Sequence, residues 1–187
     1  MNDTVFRSPS LGPCEMVYEN PYQKVYRQVA DFGDFSKEYF IARYGKRAAV
    51  LVVRGEEVLL GRQYRLLINA CSWEVPGGKV EDGEALETAA IRECFEETGV
   101  RCANLKPLVR FQASLDTVDG PTDVFYTREF VEVDVRHDAR EVQSHAWVPL
   151  TRCLQMVFEH KILDSLSIIS LLTYRLLQQQ APGTERR

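Results

Sequence analysis

Glu93, Glu96 and Glu97 crowd into five residues of the stretch PGGKVEDGEALETAAIRECFEETGV, Pro76 to Val100. Residues three and four apart share a helix face, so Glu93 stands beside both of the others. Each like-charge pair costs ~0.2–0.5 kcal/mol in an isolated helix, which a solvated face tolerates. The neighbours give the carboxylates a use. Pro76-Gly77-Gly78 reads as a turn where the backbone can approach closely and expose carbonyl oxygens. Hard divalent cations take carboxylate and carbonyl oxygens. A glycine turn facing three carboxylates supplies that donor set, for magnesium or for manganese in its place. Glu84 falls in the first helical turn, where a negative charge meets the helix dipole favourably. Arg92, two turns on, can hold neighbouring carboxylates in place.

The elements around this stretch must position it. Glu84 to Thr98 reads as the helix, with Gly99 as its stop. Before it, Arg47–Val53 and Glu56–Arg65 read as a hairpin of buried strands across Arg54-Gly55. SWEVPGG is a short strand running into the turn. Residues 1–15 look irregular, and Met16–Gly33 with Ser36–Gly45 suggest a pair of strands. LKPLVRFQAS and DVFYTREFVEV read as strands bridged by the polar loop LDTVDGPT, and SHAWVPL as the last strand. Thr151 is placed to cap RCLQMVFEHK, and an amphipathic helix runs from about Asp164 to Gln180. The order of elements predicts an α+β fold, a mixed-sheet sandwich.

Composition removes whole classes of function. With 187 residues and 45% hydrophobic, the chain can form one well-packed domain with an extension. No apolar run reaches the ~18–20 residues of a membrane span, and the N-terminus lacks the order of a secretory signal. A net charge of −4 without a basic run gives nucleic acid no electrostatic footing. Five cysteines, an odd number without paired C-x-x-C spacing, suggest reduced thiols and a cytoplasmic protein. A phosphate-binding P-loop would need glycine where Trp73 stands, and DTVDGPTD lacks the closing glutamate of a calcium loop.

Gly78, Glu84 and then Arg92-Glu93-Cys94-Phe95-Glu96-Glu97-Thr98-Gly99-Val100 resemble the Nudix box, G-x5-E-x7-R-E-U-x-E-E-x-G-U. Every polar and glycine position matches. Cys94 departs from the usual Leu, Ile or Val, but buried cysteine behaves as a small hydrophobe. GRQYR, SWEVPGGKVEDGE and FEHKILDSLSIISLL extend the resemblance to the ADP-ribose pyrophosphatase branch, over residues 20–178. It implies a Nudix α/β/α sandwich over 46–180, a strand extension over 1–45 and a disordered tail over 181–187. It also implies a homodimer in which the extension crosses to the partner. The alternative for the extension is a hairpin covering its own sheet.

The same resemblance implies roles. Glu93 and Glu97 become metal ligands, Glu96 a direct or water-bridged one, and the Gly77 carbonyl completes the set. Gly78, Glu84 and Gly99 shape the box, and Arg92 orients the catalytic carboxylates. The general base falls in VDVRHDAREVQSHAW, where Glu141 precedes the apolar Val142; Asp138, Asp134, His137 and His145 are rivals. Arg65 resembles a substrate-contacting arginine, and Glu74 is placed for sugar hydroxyls. Tyr22, Tyr26 and Phe32 are candidates to stack a base. The segment that carries SPG in ADP-ribose-specific members reads Ser114-Leu115-Asp116 here, and the loop acid falls near Gly120, beside Asp119. ADP-ribose is therefore no surer a substrate than other nucleoside diphosphate sugars. The implied reaction is magnesium-dependent hydrolysis of their pyrophosphate bond, giving a nucleoside monophosphate and a sugar phosphate. A nucleoside triphosphate or RNA-end pyrophosphohydrolase shares the same box. A non-catalytic Nudix-fold binding module typically loses box carboxylates, and none is lost here.

Overall fold

The run Ala48–Val53 is buried throughout, and its alternating side chains serve two different cores. Successive residues of a strand face opposite sides, so a continuously apolar strand needs cover on both. The computed structural model, which describes residues 8–133 and 142–180, supplies that cover with helices. In chain order the elements are β1 (Ser10–Glu19), β2 (Lys24–Asp31), β3 (Ser36–Arg43), β4 (Arg47–Arg54), β5 (Glu57–Arg65), β6 (Ala70–Glu74), β7 (Gly77–Lys79), α1 (Leu86–Thr98), β8 (Val100–Ala103), β9 (Lys106–Phe111), β10 (Val118–Asp119), β11 (Thr122–Thr127), β12 (Glu129–Glu132), β13 (Val142–Pro149), α2 (Leu150–Phe158) and α3 (Ser165–Gln180). They fall into two units. The first runs up to Gly45 and takes in Gln112–Pro121; the second is Lys46–Phe111 with the chain from Thr122 on.

In the second unit the sheet order is β13-β5-β4-β11-β9, with β6 paired to β5 and β7 to β4. β11 runs parallel to β4 and the other pairs are antiparallel, so the sheet is mixed. Ala48, Val50 and Val52 pack with Ala89, Ala90 and Cys94 of α1. Ala49, Leu51 and Val53 pack with Leu150, Cys153 and Met156 of α2 and with Leu171 and Tyr174 of α3. The result is an α/β/α sandwich of the α+β class. Cys94 is fully buried beside Cys102, and among the described residues no disulfide is formed. No helix among the described residues is long and apolar enough to cross a membrane.

The first unit is an antiparallel meander, β1-β2-β3, with β10 added parallel to β3. Here the expected irregular start is corrected: the strand begins at Ser10, despite Gly12 and Pro13. An edge strand tolerates proline because one side needs no ladder donor, and a register shift between Leu11 and Cys14 absorbs it. The loop LDTVDGPT also does more than bridge, since Val118-Asp119 joins the meander. DVFYTREFVEV is two strands, interrupted at Arg128. α2 starts at Leu150 straight out of Pro149, with no side-chain cap from Thr151; Pro149, at φ −53, already carries the dihedral a helix start requires.

Candidate active site

The expected turn at Pro76-Gly77-Gly78 is instead a bend at Val75-Pro76 followed by strand β7, in which Gly77 pairs with Ala49 and Gly78 with Ala48. Close approach of the β4 backbone requires glycine at Gly77, and Gly78 leaves room for the Glu93 carboxylate. A Cβ on Gly77 would lie 2.7 Å from the Ala48 carbonyl oxygen, and one on Gly78 would run into the Glu93 carboxylate. The Pro76 carbonyl accepts the Val50 N–H at 3.2 Å, and the Gly77 N–H turns to the helix, donating to Glu97 Oε2 at 3.0 Å. Gln63 Nε2 of β5 donates to Glu97 Oε1 at 2.5 Å. Burial pushes the Glu97 carboxyl up to about 7, against the pull of these two hydrogen bonds.

Arg92 gathers the remaining carboxylates. Its Nε and Nη2 donate to the two oxygens of Glu84, each at 3.0 Å. Nη1 donates to Glu93 at 2.9 Å and to Glu96 at 3.0 Å, and Nη2 also reaches the Lys79 carbonyl at 3.0 Å. Glu84 precedes the helix rather than lying in its first turn, because its carboxylate closes a local turn by accepting the Glu81 N–H at 3.0 Å. The Arg92 hydrogen bonds, followed by that N–H, hold Glu84 below the usual carboxylate range. Burial pushes Glu93 up, with Arg92 opposing. Gly99 ends the helix at φ 71, its N–H bonded to the Phe95 carbonyl at 2.8 Å.

At the end of β5, Arg65 Nε donates to Glu74 Oε1 at 2.8 Å, and Nη2 meets the other oxygen. Glu74 is buried while Arg65 is half exposed. Two residues expected to hold substrate thus hold each other.

Among the described residues no three His, Cys, Asp or Glu side chains converge to hold a metal ion. The carboxylates have taken N–H donors instead: Glu93 and Glu96 face Arg92, and Glu97 faces Gln63 and Gly77. The donor chemistry nonetheless fits a hard cation. It is all oxygen, and Glu93 and Glu97 are disfavoured as anions by burial, a penalty that a nearby dication reverses.

The family described as NUDIX domain matches residues 43–164. The chain belongs to the Nudix family. A CMP-5'-(N-acetyl-N-hydroxy-3-aminopropyl)phosphonate hydrolase of Streptomyces rubellomurinus is 30% identical over 155 residues, 81% of this chain and 74% of that one. An ADP-ribose pyrophosphatase of Bacillus subtilis is 28% identical over 138 residues, 71% of this chain and 73% of that one. The crystal structure of an ADP compounds hydrolase matches with a TM-score of 0.79 at 16% identity, over 94% of this chain and 97% of that one, a likeness of fold. The chain is a Nudix pyrophosphohydrolase, similar in sequence to an ADP-ribose pyrophosphatase.

Within this Nudix chain the remaining candidates are scattered. Asp119 belongs to the first unit, where it accepts from Arg43 Nε at 3.0 Å. In the same unit Tyr22 is 90% exposed, Tyr26 lies 4.0 Å beneath the Arg43 guanidinium, and Phe32 stacks on Phe35 at 4.6 Å. Glu141, Asp138, Asp134 and His137 lie outside the described residues. His145 sits on β13 opposite Gly61. Sequence reasoning gave no role to Gln63, which orients Glu97. The signal was there: a glutamine in the apolar strand VLLGRQYR must find a partner once buried.

Proposed function

We propose that this enzyme is a magnesium-dependent hydrolase of nucleoside diphosphate derivatives, nucleoside diphosphate sugars first. Water attacks one phosphorus, the bridging P–O bond breaks, and a nucleoside monophosphate and a sugar phosphate leave. The observation that carries this reading is the gathering of every box carboxylate by Arg92 of α1, Gln63 of β5 and Gly77 of β7. Glu93 and Glu97, with Glu96 and the Gly77 carbonyl, would hold magnesium, or manganese in its place. When bound, the ion polarises phosphoryl oxygens and lowers the pKa of water. Arg92 keeps the carboxylates from spreading under their own repulsion. Arg65, half exposed and anchored by Glu74, offers the open side of its guanidinium to the diphosphate, and Glu74 takes a sugar hydroxyl. Glu141 takes the proton from the attacking water.

The base is left open by the relatives, whose names point to an ADP and a CMP compound. It is left open also by Ser114-Leu115-Asp116, where Leu115 is 93% exposed. The test is a hydrolysis screen with magnesium across ADP-ribose, ADP-glucose, GDP-mannose, UDP-glucose, diadenosine polyphosphates and the nucleoside triphosphates. A nucleoside monophosphate released from a diphosphate sugar at the highest kcat/KM supports the reading. Preference for the triphosphates overturns it.

The working form is a cytoplasmic homodimer. β1 is exposed along its whole length and carries Leu11, Met16, Val17 and Tyr18 on an open sheet edge, a surface that calls for a partner. Sedimentation equilibrium is expected to give twice the chain mass. Deleting the chain up to Gly45 also strips β10 of its partner β3, so aggregation or loss of activity is expected. A soluble, active monomer beginning at Lys46 would show the segment to be dispensable.

A further inference from the structure

The chain just ahead of the glycine strand is tied to the C-terminal helix pair. The Trp73 N–H donates to the Lys161 carbonyl at 3.0 Å, and the Val75 N–H donates to Ser167 Oγ at 2.7 Å. Ser167 is fully buried in the first turns of α3. Its own N–H donates to Asp164 Oδ2 at 2.8 Å, and the Ile168 N–H bonds to the Asp164 carbonyl at 3.2 Å, so Asp164 caps the helix. The other Asp164 oxygen is buried without a hydrogen-bond partner. A serine inside a helix ordinarily bonds back to its own backbone, as Ser170 does to the Leu166 carbonyl at 2.6 Å. Ser167 instead gives its oxygen to the Val75 peptide between β6 and β7, 92 residues away in sequence. The peptide it fixes is two residues from Gly77, within ~7 Å along the chain.

We infer that Ser167, oriented by Asp164, is a positioning residue for the metal-binding strand. It fixes Val75, and through Pro76 it sets the Gly77 peptide that holds Glu97 by its N–H and would offer its carbonyl to the ion. The inference rests on the metal reading proposed above. Without the hydroxyl, the buried Val75 N–H has no acceptor, and the strand relaxes at the residues that matter for the ion. Loss of an outer partner of a metal ligand typically costs ~10–100-fold in metal affinity.

The test titrates Mn2+ into the full-length, substrate-free protein and follows the free ion by electron paramagnetic resonance. Ser167→Ala is expected to weaken Mn2+ binding by ~10-fold or more. Asp164→Asn keeps a capping oxygen and is expected to cost less than ~3-fold. Ser170→Ala deletes the same atom from the same helix, where it bonds only locally, and is expected to stay within about twofold of wild type. Thermal unfolding without metal shows how much stability each variant loses. If Ser167→Ala fails to fold, Ser167→Cys, close in volume and a poor acceptor, is read the same way. Wild-type affinity in the Ser167 variant, or an equal loss in Ser170→Ala, overturns the inference. No saturable Mn2+ binding by the wild type overturns the metal reading, and this inference with it.

Discussion

Glu97→Gln lowers kcat by at least ~10²-fold, the scale of losing a positioned electrostatic element, and leaves the metal-free protein no less stable. Both halves follow from the surroundings of the carboxyl. It is partly buried, it accepts from Gln63 and Gly77, and its proton is held up to about 7. A glutamine fills the same space. Its oxygen can keep the Gly77 N–H, and Gln63 can turn its amide to offer an oxygen to the new NH2 group. The sign of the pH effect is fixed by the direction of the shift. The folded value lies above the unfolded one, so between about 4.5 and 7 the folded state holds more protons, and stability falls as pH rises. Metal-free wild type is therefore expected to melt lower at pH 8 than at pH 5. Glu97→Gln should flatten that slope without abolishing it, because Glu93 is pushed up in the same direction. Magnesium binds the deprotonated carboxylates, so its stabilisation of the wild type should grow over the same range. Thermal melts at several pH values with and without magnesium, beside turnover assays, check all of this. Near-wild-type turnover of the variant at saturating magnesium would remove Glu97 from the site.

The box was legible because each of its positions has a local reason. Gly99 stops a helix at positive φ, Arg92 lies within reach of Glu96 one turn on and of Glu84 just before the helix, and the helix carboxylates sit three and four apart. The strand Arg47–Arg54 was legible too, since an unbroken apolar run asks for helices on both sides. What escaped depends on pairing between distant residues. Gly77 and Gly78 look like a turn until Ala48 and Ala49 are found alongside them. Gln63 looks like any strand polar residue until Glu97 arrives from α1. Ser167 looks like helix filler until Val75 is seen to need an acceptor. The first unit is built from two separate stretches of chain, and nothing local in Gln112–Pro121 announces its partner β3.

The same long-range pairing sharpens the last prediction, the general base. β13 begins at Val142, whose pairing partner on β5 is Gln63, the residue whose amide holds Glu97. Glu141 directly precedes Val142 in the sequence. Asp138 is four residues before Val142 in the sequence. Nearness in sequence to the partner of Gln63 thus favours Glu141 for a proton transfer that needs hydrogen-bond reach of the attacking water. Glu141→Gln is expected to lower kcat by ~10²–10⁴-fold, the range of general acid–base catalysis. KM should change less, because a base that acts in the transition state contributes little to ground-state binding. The base must be deprotonated to work, so wild-type rate falls as pH drops below its pKa, and the variant should lose that acidic limb. Asp138→Asn should be mild. A damaging Asp138→Asn beside a mild Glu141→Gln would move the base to Asp138. If both variants turn over normally, the base lies in the helix, where Glu96 is the first candidate because, among the described residues, it is held by Arg92 at the exposed side of the cluster.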